Sequence, residues 1–167
     1  MRPSLRVFSA KQQRLTSGHR AVLIGPVKAM APAGAQAMLT RASTVRAHGL
    51  SSIVSAIANS ATSSYTKLHS PLSLALIRAL VLPTPIEGYA RACEALASGV
   101  DPDWDKIQAE VLVVGGEEDY MSTPEVIAGI VAKVKNGRSV ELAKVGHWHA
   151  VEQPAALADL MDAFFAL

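Results

Sequence analysis

With 167 residues, 50% of them hydrophobic and 18% charged, the chain is long enough for one domain that buries roughly 70% of its unfolded surface. No apolar run approaches the ~20 residues of a membrane-spanning helix, and a lone cysteine, Cys93, excludes an internal disulfide. The net charge of +2 hides ten Lys/Arg and no acid in residues 1–86, against six Lys/Arg and fourteen Asp/Glu in the remainder; the scattered basic residues, without aromatic interleaving, argue against nucleic acid and for two halves whose charges partly satisfy each other.

Residues 1–20 carry Arg2, Arg6, Lys11, Arg14 and Arg20 but only four large apolar side chains, Leu5, Val7, Phe8 and Leu15. The spacing favours a basic, disordered tail. The composition also suits a mitochondrial transit peptide, so a mitochondrial address stands beside the cytoplasmic one that the absence of disulfides makes the default. Residues 21–24, Ala-Val-Leu-Ile, form a short apolar run stopped by Gly25-Pro26, which reads as a buried parallel strand.

From 32 to 99 the pattern is helical only. Segments 34–47, 49–58, 71–82 and 85–98 show apolar residues at helical spacing, divided by Gly, by Asn59-Ser60 and by Pro83-Thr84-Pro85. Four short helices between two strands predict a lid, since a crossover would need only one. A polar return, 101–107, leads to a second predicted strand at 110–114. Thr123 and Pro124 supply an N-cap and a first helical position for a helix through about Lys135, which Asn136-Gly137 ends. A third strand at 139–144 and a final amphipathic helix from Pro154 to Phe165 complete an α/β order with parallel strands.

Two stretches carry the chemistry. Gly115-Gly116-Glu117-Glu118-Asp119 follows the second strand, and Gly146-His147-Trp148-His149 follows the third. An Asp and a His just past the ends of neighbouring parallel strands converge on one face of the sheet, where the carboxylate can orient the imidazole as a base. Glu117 and Glu118 compete with Asp119 for the acid's role. His149 competes with His147, its plainer reading being a solvated loop histidine. A His147–His149 metal pair lacks a third ligand at sensible spacing, so no metal is expected. Cys93 on an apolar helix face reads as core before it reads as a thiol partner of His147, and Ser51 as a helix residue before a nucleophile; Arg41 and Arg46 could meet a substrate carboxylate, a solvated face being their plainer reading.

These residues resemble a known family. Gly116-Glu117-Glu118-Asp119 with Pro124, Val145-Gly146-His147 with Glu152-Gln153-Pro154, and the helix 87–96 are together, and in this order, similar to the C-terminal half of α/β-hydrolase-fold enzymes, close to the 3-oxoadipate enol-lactonase branch. The resemblance runs from 21 to 167 and leaves 1–20 outside it. It implies a partial hydrolase core of about three parallel strands at 21–31 and 100–167, and a helical cap at 32–99. It also implies Asp119 as triad acid, His147 as general base, and Tyr89 and Trp148 facing a small ester or lactone substrate, with no cofactor.

The family takes its serine from a G-x-S-x-G elbow upstream of everything matched here. No such motif occurs in the chain; Gly49-Leu50-Ser51-Ser52-Ile53 lacks the final glycine. Loss of the nucleophile alone costs on the order of a million-fold in turnover. The expectation is therefore a truncated hydrolase, inactive by itself. The alternative is a binding or regulatory fragment that associates, with itself or a paralogue, through the open edge of its first strand.

Overall fold

The computed structural model describes residues 19–165. Its sheet has three parallel strands in the order β1 (Arg20–Ile24), β2 (Glu110–Gly116), β3 (Asn136–Leu142). Ile24 stands opposite Val114, and Gly116 opposite Leu142. Successive β2 side chains point to opposite faces, and both faces are covered. Val111 and Val113 pack with Ile127, Ile130 and Trp104 on one side. Leu112 and Val114 pack with Leu142, Val145, Leu157 and Phe164 on the other. Those covers come from α6 (Pro124–Val131) and α8 (Pro154–Phe165), which is why β2 reads as an unbroken apolar run.

Between β1 and β2 lies the all-helical cap: α1 (Pro32–His48), α2 (Val54–Ser60), α3 (Ser64–His69), α4 (Pro71–Val81) and α5 (Ile86–Ala97). Helices α1 and α5 meet through Met38, Ala42, Ala90 and Cys93. A second cap cluster, Val45, Leu50, Val54, Ala58, Ile77 and Val81, extends onto Trp148 and Val151, so the apolar interior of the cap continues into the histidine loop. The basic first half meets the acidic second half at the surface, where Arg46 pairs with Glu87 and Glu94, and Arg20 with Glu110. No helix among the described residues is long and apolar enough to cross a membrane.

Three sequence expectations need correction. The cap has five α-helices, because Ser64–His69 is helical although its sequence has no apolar period; Ser63 caps it by accepting a hydrogen bond from the Thr66 amide at 3.1 Å. The predicted helix over 49–58 splits into a 3₁₀ turn, Leu50–Ser52, and α2. Asn136-Gly137 opens β3 instead of merely ending α6, which already stops at Val131. The Asn136 side-chain Nδ2 donates to the Gln108 carbonyl at 3.1 Å, and a Cβ at Gly137 would lie 3.2 Å from the Val134 Cβ and 3.3 Å from two carbonyl oxygens. That glycine answers a packing need at the strand's entry. The basic segment 1–18 lies outside the described residues.

Candidate active site

The ends of β2 and β3 carry two loops bonded to each other through their backbones. The Glu117 amide donates to the Leu142 carbonyl at 3.0 Å and the Glu118 amide to the Val145 carbonyl at 2.8 Å. Gly116 makes the approach feasible, since a Cβ there would fall 2.5 Å from the carbonyl oxygens of both Val145 and Gly146. The Asp119 amide closes a turn onto the Gly116 carbonyl at 3.0 Å and swings its carboxylate inward.

Burial and partners separate the three acids. Glu117 accepts from the Lys144 amide at 2.7 Å, and Glu118 from the Ser64 amide and hydroxyl at 2.8 and 2.6 Å. Both are exposed. The Asp119 side chain is fully buried; its Oδ1 accepts from the Met121 and Ser122 amides at 2.9 and 3.0 Å, and its Oδ2 lies 2.8 Å from His147 Nδ1. Burial alone pushes this carboxyl up. The hydrogen bonds from His147, Ser122 and Met121 outweigh it and hold the carboxyl below its ordinary value.

An ionised carboxylate only accepts, so Nδ1 of His147 carries the proton and the neutral ring keeps its lone pair on Nε2. The imidazole is 34% exposed and borders a depression of about 170 Å³ with Ile24, Trp148, His149, Ala150 and Val151. A buried carboxylate thus orients a half-open imidazole. Gly25, at φ +54°, lies close to the pair where the chain leaves β1. A Cβ there would lie 3.3 Å from Asp119 Oδ2 and from His147 Cε1, and 2.8 Å from His149 Cε1.

His149 is no solvated loop residue. It is buried, its Nδ1 donates to the His147 carbonyl at 3.1 Å, and among the described residues its Nε2 has no hydrogen-bond partner. Trp148 borders the depression and packs on the cap cluster. Tyr89 sits between the two cap clusters and does not line the depression. Ser51 is exposed in the 3₁₀ turn, and Cys93 is buried in the cap, where desolvation pushes its thiol up. Among the described residues no serine, threonine or cysteine hydrogen-bonds to the His147 ring, and no group of three side chains is arranged to hold a metal.

Sequence reasoning gave no role to a fourth carboxylate. Glu152 Oε1 accepts from the Gly146 and Trp148 amides at 3.0 and 3.2 Å; Oε2 accepts from the Ser63 amide and the Thr66 hydroxyl at 2.8 and 2.9 Å. Its position five residues after His147 was visible, but its distant partners were not.

The sequence profile of the Alpha/beta hydrolase family matches residues 6–160, taking in most of the segment 1–20 that the sequence reading left outside the resemblance. Among solved structures, the chain is similar to a thermophilic esterase from Thermogutta terrifontis (TM-score 0.80, 22% identity, 86% of this chain and 54% of that one). It is also similar to an enol-lactonase from Burkholderia xenovorans (0.80, 24%, 89% and 56%) and a hydrolase from Pseudomonas aeruginosa (0.79, 20%, 89% and 56%). The chain spans little more than half the length of these structures. No curated protein sequence matches it.

Proposed function

The chain belongs to the alpha/beta hydrolase family, and from that premise we propose that it supplies the acid and the base of an acyl-transfer site for a small ester or lactone. The observation that carries this reading is the 2.8 Å contact of the fully buried Asp119 with the Nδ1 of His147, beside an open depression. In this mechanism Asp119 fixes the tautomer and stabilises the imidazolium. His147 Nε2 takes the proton of a serine hydroxyl and returns it to the leaving oxygen.

Residues 1–167 contain no G-x-S-x-G elbow to supply that serine. The polypeptide as it stands is therefore inactive, and the nucleophile with its oxyanion donors comes from another segment or chain. Turnover of a short-chain p-nitrophenyl ester tests this. Residues 1–167 alone run at the uncatalysed rate, and a covalent join to the elbow-bearing half of a related hydrolase yields turnover that His147→Ala abolishes. Turnover by residues 1–167 alone, lost in His147→Ala, contradicts it.

One observation favours a second reading. Among the described residues β1 pairs only with β2, and Ile24 at its end is 41% exposed. An edge of this kind can accept a strand from a partner or a second copy, so that the chain would act as a binding fragment. A monomer by sedimentation at high concentration argues against self-association.

A further inference from the structure

We infer that Glu152 is a positioning residue, whose single carboxylate ties the helical cap to the histidine loop and thereby sets His147 against Asp119. The inference rests on reading Asp119 and His147 as an acid–base pair.

The backbone around the base is held at three consecutive amides. Those of Gly146 and Trp148, on either side of His147, both donate to Glu152 Oε1 at 3.0 and 3.2 Å. The amide of His147 itself donates to the Ala61 carbonyl of the cap at 2.8 Å. Ordinary capping of the short helix α7 (His149–Glu152) would account for Oε1 alone. It does not account for Oε2, which takes the Ser63 amide and the Thr66 hydroxyl from 89 and 86 residues away in the chain. Ser63 and Thr66 are both buried, so these donors have no exchange with bulk water to fall back on.

Four donors converging on one side chain require a group that only accepts. A carboxylate has about four lone-pair sites, whereas a glutamine would turn an NH₂ toward two N–H or O–H donors. Packing makes the tie tight. A Cβ on Gly146 would stand 2.7 Å from the Ala61 carbonyl oxygen and 2.8–2.9 Å from the backbone of Thr62 and Ser63. Loop and cap are therefore in backbone contact, and the base cannot shift without moving the start of α3. Glu118, bonded to Ser64, adds a second tie from the acid loop to the same helix start.

The test is proton NMR of residues 1–167, reading the far-downfield resonance of an imidazole N–H held by a carboxylate, assigned by its loss in His147→Ala. Glu152→Gln is expected to speed solvent exchange of that proton by about tenfold, the effect of one lost hydrogen bond. Thr66→Val, which removes only the cap-side hydroxyl and is the milder change should Glu152→Gln not fold, is expected to act in the same direction. Glu141→Gln, on the exposed side of β3, leaves it unchanged. A tie that merely stabilises the fold would lower the melting temperature and leave the exchange rate of the folded variants at the parent's value; that result overturns the inference. A parent without the resonance overturns the Asp119–His147 pairing, and the inference with it. No substrate is involved, so absence of esterase activity leaves this test intact.

Discussion

His149 Nε2 lies 3.8 Å from Asp119 Oδ2, the oxygen that His147 Nδ1 reaches at 2.8 Å. The two imidazoles meet edge to face, with centroids 6.2 Å apart. Because Nδ1 of His149 donates to a carbonyl, the neutral ring turns a lone pair toward the carboxylate and gains nothing from it. Protonation would relieve this, but burial opposes the charge and holds the imidazole below its ordinary value.

A pH dependence follows. Unfolded, His149 takes a proton near pH 6.5; folded, it does so only at lower pH. Between those values the unfolded chain binds more protons, so stability rises with pH. The contribution is complete above about pH 6.5 and erodes as pH falls through that window. The melting temperature is expected to drop less between neutral and mildly acidic pH in His149→Asn than in the parent. Equal drops contradict a buried neutral His149.

Asp119 governs the more acidic range. Its folded value lies below the ordinary carboxyl value of about 3.9, so its stabilisation is complete above the ordinary value and is lost as pH falls through the folded one. Asp119→Asn is expected to flatten the acid limb of the stability profile. It also offers an N–H toward His147 Nδ1, which turns the ring to the other tautomer. Nitrogen chemical shifts of His147 check the tautomer.

Two glycines are expected to resist alanine for different reasons. At Gly25 the left-handed backbone adds about 1–2 kcal/mol, and the contact with His149 Cε1 adds overpacking. At Gly146 the obstruction is the backbone of three consecutive cap residues, Ala61 to Ser63, worth about 1–3 kcal/mol. Chemical denaturation measures both, and changes within about 0.5 kcal/mol would place the loops differently.

Packing under the acid loop offers a contrast. Ile130 is fully buried between α6 and β2, while Leu72 is 81% exposed on α4. Ile130→Ala is expected to cost about 2–5 kcal/mol, and Leu72→Ala to stay within about 0.5 kcal/mol. Equal losses would contradict an interior packed around Ile130.

Much of this was legible in the sequence. β1 and β2 announce themselves as short β-branched runs closed by Gly25 and Gly115, and the parallel pairing of β2 with β3 carries Asp119 to His147. The cap follows from the helical spacing of 71–82 and 85–98. Helix α3 was hidden because its polar sequence has no period and its start is held by Glu118 and Glu152 from other parts of the chain. The start of β3 was misplaced because Asn136-Gly137 carries a terminator's composition while pairing with Glu110 and Val111. The burial of His149 was hidden for a similar reason, since what encloses it is Gly25 and Asp119, distant in sequence.

We propose that residues 1–167 hold an oriented base without a nucleophile. The most direct test is the intact mass of the chain after incubation with a fluorophosphonate, which phosphonylates activated serines. No adduct is expected in residues 1–167. A stoichiometric adduct on one side chain, lost in His147→Ala, would contradict it and show that the attacking atom is already in this chain.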